Sequence, residues 1–189
     1  MEATNSRIKE LETQIYQLKE ELSQLRRENE GEVVADATFM TADGEVSLSD
    51  LFGDKDRLIL IHNMGHTCSY CTLWADDANN YFPRIEERAA FALCSPDDPA
   101  KQAEVAAHRG WKFRMVSDAG KEFTRAMGYL DDEGYWHPGF SAFAKREDGT
   151  IVRLNNTSFG PYDDFCPIWH YWDMIGLEQW SWQPPKCLG

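Results

Sequence analysis

Cys68-Ser69-Tyr70-Cys71 sets two thiols three residues apart, with His66 two residues ahead of the first. Spacing alone says little, since a random chain with five cysteines shows such a pair about one time in ten. The surroundings say more. Leu58 to Asn63 is a β-branched apolar run of the kind that forms a buried strand, and Met64-Gly65-His66-Thr67 is a short turn. Beyond the cysteines, Leu73, Trp74, Ala78, Tyr81 and Phe82 recur at helical intervals. Cys68 is therefore expected at or just before the first turn of a helix. There the free backbone N–H groups and the positive end of the helix dipole favour a thiolate, drawing its pKa from about 8.5 towards neutrality. Cys71, one turn further on, is placed to attack the mixed disulfide that Cys68 forms with a substrate. His66 has two readings, a thiolate partner or proton relay and a loop histidine bonded to backbone. Trp74 likewise either shields the thiols or packs as a core residue of the helix.

The elements that must position this pair follow from pattern. Ala90 to Cys94 is a second apolar run, followed by Ser-Pro-Asp-Asp-Pro and a helical stretch to Arg109, which is strand, turn and helix of a βαβ unit. Phe113 to Val116 and a short helix from Gly120 to Met127 come next. Phe140 to Lys145 and Thr150 to Asn155 flank Glu-Asp-Gly and read as an antiparallel hairpin. Pro167 to Ile175 carries Trp169, Trp172 and Ile175 at helical steps. Strands alternating with helices, plus one hairpin, argue for an α/β sandwich on a mixed sheet.

Residues 1–30 have a different character. Ile8, Leu11, Ile15, Leu18, Leu22 and Leu25 alternate steps of three and four, the repeat of a coiled-coil seam. With Ile8, Ile15 and Leu22 at a and Leu11, Leu18 and Leu25 at d, the pattern favours a parallel homodimer through residues 8–29. The flanking positions would pair Arg7 with Glu12, Gln14 with Lys19 and Glu21 with Arg26, and Asn29 would take the next a position. The alternative is an amphipathic helix folded back on its own domain. Gly31 is expected to end the helix, leaving residues 31–189 as one domain.

The 189 residues suit one core, with 42% hydrophobic and 27% charged residues. Nineteen Lys and Arg against 32 Asp and Glu give a net charge of −13, which repels nucleic acid and anionic membranes. No run approaches the ~20 apolar residues of a bilayer span, and the charged N-terminal helix lacks the apolar stretch of a secretory signal, so a cytoplasmic location is expected. Five cysteines in a reducing compartment point to free, metal-bound or redox-active thiols in place of a static disulfide framework.

Several separated blocks carry a resemblance. Cys68-Ser-Tyr-Cys-Thr-Leu-Trp-Ala-Asp, Arg88-Ala-Ala-Phe, Arg109-Gly-Trp-Lys-Phe-Arg-Met-Val-Ser and Phe159-Gly-Pro-Tyr-Asp-Asp-Phe-Cys-Pro-Ile-Trp-His together resemble the DUF899 family of thioredoxin-like proteins. The likeness runs over roughly residues 33–180, with the zipper outside it. It implies a thioredoxin-like three-layer sandwich related to the AhpC/TSA and peroxiredoxin group, and dithiol–disulfide oxidoreductase activity with Cys68 and Cys71 as the catalytic pair. The partner would be a disulfide-containing substrate or thiol reductant, and no cofactor is implied. Such folds place a cis-proline opposite the CxxC, and Pro138 falls where that proline would lie, near Cys68; following Trp136-His137, it reads equally as a trans turn proline. Pro138, His66 and Trp74 are thus the expected substrate-side residues. Two departures stand out. The dipeptide between the cysteines is Ser-Tyr where thioredoxin has Gly-Pro. The Pro and Thr that precede a peroxidatic cysteine are replaced, on aligning Cys71, by Met64 and Cys68, so peroxide is not assigned as the substrate.

Two other readings use the same residues. Cys68, Cys71, Cys166 and His170 form C-x2-C and C-x3-H, a set able to enclose tetrahedral zinc, which would silence disulfide exchange. A zipper-joined interaction module without activity is the other. Cys94 reads as a packing thiol and Cys187 as an exposed one. The pairs Asp76-Asp77, Asp97-Asp98 and Asp163-Asp164 read as solvated turns without catalytic role, and Trp169, Trp172, Trp180 and Trp182 as core or lid residues.

Overall fold

Leu58, Leu60 and Ile61 are buried along a six-residue strand, β4 (Arg57–His62), which lies at the centre of the sheet because both of its faces are apolar. A computed structural model describes residues 2–185 of the chain; Cys187 and the side chain of Trp180 lie outside that description. Around β4, β1 (Glu32–Val33), β2 (Thr38–Thr41), β3 (Gly44–Ser47), β5 (Ala90–Ser95), β6 (Arg114–Ser117), β7 (Gly139–Lys145) and β8 (Ile151–Ser158) complete a mixed sheet in the order β1-β8-β7-β4-β5-β6-β2-β3. β4, β5 and β6 run parallel, with His62 beside Cys94 in register, whereas β7 runs antiparallel to β4 and sets Gly139 opposite His62. The helices are α1 (Glu2–Glu28), α2 (Ser69–Ile85), α3 (Pro99–Arg109), α4 (Glu122–Ala126) and α5 (Ile168–Met174).

Alternate residues of β4 and β5 serve two separate interiors, as strand geometry requires. Leu58, Leu60, Ala92 and Cys94 join Phe39, Phe52, Val116, Phe123 and Phe143 in one cluster; Ile61, Phe91 and Leu93 join Ala75, Phe82 and Phe113 under α2 in the other. The end of α3 is tied to α2 where Asp76 accepts from Arg109 at 2.9 Å and from the Trp111 indole at 2.8 Å.

The expected strands, hairpin and helices are all present, to within a few residues at their ends. The β2–β3 hairpin, which turns through Ala42 and Asp43 with Thr41 paired to Gly44, is an addition to the sequence reading. No helix among the described residues is long and apolar enough to cross a membrane.

The apolar seam of α1 is not buried against its own domain. None of its residues is buried, and the six seam residues keep 41% to 64% of their surface exposed. The C-terminal half of α1 runs beside its own domain: Lys19 pairs with Asp164 at 2.5 Å, the Arg26 carbonyl accepts from Asn155 at 3.2 Å, and Asn29, just past the helix, donates to the Leu154 carbonyl. The helix stops at Glu28, three residues before Gly31. Gly31 adopts φ +77°, and a Cβ there would lie 2.7 Å from the Arg153 carbonyl oxygen, so glycine lets the chain run close beside β8.

Candidate active site

The chain leaving β4 is held by Asn63. Its backbone N–H donates to the Cys94 carbonyl at 2.9 Å, its side-chain oxygen accepts from Gly65 N–H at 2.8 Å, and its amide nitrogen reaches the Cys71 carbonyl at 3.4 Å. Cys68 N–H then donates to the Gly65 carbonyl at 3.1 Å, closing a tight turn that delivers Cys68 in extended conformation as the N-cap of α2. Its sulfur accepts the Cys71 N–H at 3.1 Å, and its carbonyl accepts the Thr72 N–H at 3.1 Å and hydroxyl at 3.0 Å. A thiol thus takes the position where a Ser, Thr, Asp or Asn oxygen ordinarily satisfies the first free N–H groups of a helix.

This placement separates the two thiols chemically. The Cys71 thiol, hydrogen-bonded to Cys68, is the largest influence on Cys68; together with the Cys71 and Tyr70 backbone N–H groups it outweighs burial and holds the Cys68 pKa at about 7. Cys71 is 2% exposed, and the hydrogen bond to Cys68, then burial, then the Cys68 charge push its pKa well above the ordinary thiol range. At neutral pH the partly exposed sulfur is about half ionised and the buried one is a thiol.

His66 is bound to Asp97. Its ring Nδ1 lies 2.7 Å from Asp97 Oδ1 and its backbone N–H donates to Asp97 Oδ2 at 2.7 Å. Its ring thus serves Asp97, a partner that neither expected reading of His66 included. Pro138 immediately precedes β7, across from the start of the cysteine loop, and its carbonyl accepts the Phe159 N–H at 2.8 Å. Of its two readings Pro138 takes the trans form: no cis peptide bond occurs among the described residues, and the bonds of His137 to Tyr129 and of Phe159 to Pro138 draw the chain straight into β7.

Trp74 is an interior residue, not a cover for the thiols. It stacks on Phe159 with ring centroids 5.2 Å apart, meets Trp169 at 5.8 Å, and its indole donates to Asp163 Oδ2 at 3.0 Å. Cys166 lies buried in the same cluster, where burial, with the nearby charges of Asp77 and Asp163, pushes its pKa up to about 12. The His170 ring turns outward to the Asp163 carbonyl at 3.2 Å. The zinc set of Cys68, Cys71, Cys166 and His170 is therefore not assembled, and no group of three or more His, Cys, Asp or Glu placed to hold a metal occurs among the described residues. The physical reason is that aromatic packing owns Cys166 while helix capping owns Cys68. Cys94, as expected, is a buried packing thiol.

The acidic pairs need correction. Asp98 caps α3 by accepting from Lys101 N–H at 2.9 Å, Asp97 holds His66, and Asp163 accepts from the backbone N–H groups of Gly160, Phe165 and Cys166. Asn63 and Asp97 were missed as site residues. The Asn63-Met-Gly65 spacing is an Asx-turn signal that could have identified the first; Asp97 meets a partner 31 residues away in sequence and left no local trace.

The fold agrees with solved structures of peroxiredoxins. Peroxidoxin BcpB from Mycobacterium tuberculosis superposes with a TM-score of 0.56 at 22% identity, covering 69% of this chain and 85% of its own. A cysteine-to-serine variant of peroxiredoxin Q from Xanthomonas campestris gives 0.59 at 15% identity, over 76% and 93%, and reduced 2-Cys peroxiredoxin from Plasmodium vivax gives 0.53 at 17%, over 78% and 94%. These likenesses establish a thioredoxin-like fold. No curated protein matches the sequence. Residues 2–179 match the family described as bacterial protein of unknown function (DUF899), a span that takes in α1, contrary to the expectation that the zipper lies outside the resemblance. With nearly its whole length matched, the chain belongs to the DUF899 family.

Proposed function

We propose that the chain is a dithiol–disulfide oxidoreductase in which Cys68 attacks and Cys71 resolves. The observation that carries this reading is the N-cap position of the Cys68 sulfur, which accepts the Cys71 N–H at 3.1 Å and ionises near pH 7 while Cys71 stays a buried thiol. The Cys68 thiolate displaces one sulfur of a substrate disulfide, forming a mixed disulfide and releasing a thiolate that takes a proton from water. Cys71 then attacks the Cys68 sulfur as its proton passes to the departing substrate sulfur, which leaves as a thiol, with Cys68 joined to Cys71. Pro138, at the entry to β7 across from the cysteine loop, stands on the substrate side of this scheme, and no resident cofactor is required.

The peroxiredoxin neighbours favour thiol redox chemistry in general, and one of them, the bacterioferritin comigratory protein of Xanthomonas campestris, is described with alkyl peroxide reduction activity. Met64 and Cys68 stand where that mechanism has its Pro and Thr, which favours a disulfide over a peroxide here. The test is insulin reduction with an external reductant, run beside an alkyl peroxide, on native protein, Cys68→Ser and Cys71→Ser. Insulin reduction that is lost in both variants is expected. Equal background rates in all three would replace the enzyme with a non-catalytic interaction module, and turnover of peroxide alone would replace the substrate class.

The exposed seam of α1 supports a second element of the reading, a parallel homodimer through residues 8–29. Six large apolar side chains lie along one stripe of this 27-residue helix, and pairing removes that stripe from solvent.

A further inference from the structure

The turn in front of Cys68 is clamped from the neighbouring strand. Asp97 lies just beyond β5, and its carboxylate takes both nitrogens that His66 offers, the backbone N–H and ring Nδ1, each at 2.7 Å. Gly65, at φ +98°, makes room for it: a Cβ there would lie 3.1 Å from Asp97 Oδ1. The same Gly65 supplies the carbonyl that accepts the Cys68 N–H at 3.1 Å, and its own N–H is held by Asn63. Asn63 thus holds the N–H of Gly65 and Asp97 holds the N–H of His66, the two residues that open the turn into the cap.

We propose that Asp97 is a positioning residue for Cys68, holding the 65–68 turn through the His66 backbone N–H so that the Cys68 sulfur stays at the N-cap of α2. This deepens the dithiol reading and takes its functional meaning from it, but the property it governs belongs to the sulfur alone. The charged groups around the clamp are Lys101, which faces Asp97 and Asp98, and Glu104, which faces His66; Cys71 faces the sulfur itself.

Two roles for Asp97 predict opposite signs. As a bare negative charge near a forming thiolate it would disfavour ionisation, so its removal would make Cys68 ionise more readily. As a clamp it favours ionisation by keeping the sulfur on the Cys71 N–H, so its removal would push the midpoint up from about 7 towards the ordinary thiol value.

The experiment follows iodoacetamide alkylation of Cys68 against pH, resolved by site with mass spectrometry, in the full-length native chain and in Asp97→Ala, Asp97→Asn and His66→Ala. Asp97→Ala is expected to raise the midpoint towards about 8.5, cutting the thiolate present at pH 7 roughly fifteenfold. Asp97→Asn, which keeps an oxygen for the His66 N–H, and His66→Ala, which keeps that N–H, are expected to hold the native midpoint. A midpoint in Asp97→Ala at or below the native one overturns the proposal, as does an upward shift of equal size in Asp97→Asn. Should Asp97→Ala lack a cooperative melt, Asp97→Ser, whose hydroxyl is too short to bridge both donors, takes its place with the same expectation. Native protein that fails to reduce insulin would sink the dithiol reading while leaving this comparison standing.

Discussion

His62 offers a sharp test of how the sheet interior is built. Its ring is 2% exposed, lies 3.8 Å from the Tyr129 ring in a stack, and contacts Ser141 Oγ through Nε2 at 3.0 Å, while Nδ1 has no partner. Burial, with a smaller contribution from the Arg153 charge, lowers its pKa from 6.5 to about 3. The unfolded chain therefore binds a proton between about pH 6.5 and 3 that the native chain refuses, and stability must rise with pH across that window. The neutral ring leaves stability intact above pH 6.5. Below that, each pH unit removes about 1.4 kcal/mol, so acidification from pH 7 costs about 2 kcal/mol at pH 5 and about 3.4 kcal/mol at pH 4, a large part of a typical domain's total. The perturbation is His62→Phe, which keeps the stack, removes the titration and leaves Ser141 the Tyr129 hydroxyl as partner. Urea melts of both proteins at pH 7, 5 and 4 give the difference, in which the contributions of the carboxylates cancel. The native protein is expected to lose about 2 kcal/mol more than His62→Phe between pH 7 and pH 5. Parallel losses in the two proteins would refute the view that this imidazole is held neutral by burial.

Three further outcomes are expected. In Cys71→Ala, Cys68 loses its strongest hydrogen-bond partner, so its alkylation midpoint should climb above about 7; because nucleophilicity rises with pKa, the variant should be a few-fold slower than native at pH 7 and faster above about pH 9, and pH profiles without that crossover would contradict the assignment. Trp169, fully buried among Tyr70, Trp74 and Trp182, should cost about 3–5 kcal/mol on truncation to Ala by denaturant melts. Its indole nitrogen has no partner, so Trp169→Phe should cost much less. Leu18→Glu with Leu22→Glu should convert a dimer into a monomer by light scattering while the insulin assay keeps its native rate per chain; a native protein that is already monomeric would exclude the zipper.

Much of the architecture was legible from short-range pattern. The Leu-Ile-Leu-Ile run, the Asp98-Pro99 start of α3, the Glu-Asp-Gly turn and the a/d seam each act within a few residues, where hydrogen-bond geometry and side-chain period are set locally. For the same reason the sequence alone places Cys68 at a helix start, because a strand, a short turn and a helical period converge on it.

What the linear chain could not declare is which distant groups meet there. The amino-acid order determined a dithiol at the head of a helix, a mixed sheet and an apolar seam along the first helix, whose exposure the structure decided. Tertiary structure decided that Asp97 and Asn63 hold the turn, that His66 serves the carboxylate in place of the sulfur, that Pro138 stays trans, and that Cys166 is enclosed by tryptophans instead of completing a metal set. The cause is one of range: helix capping and strand period are settled between near neighbours along the backbone, whereas a buried contact depends on how strands roughly 30 or more residues apart are laid side by side.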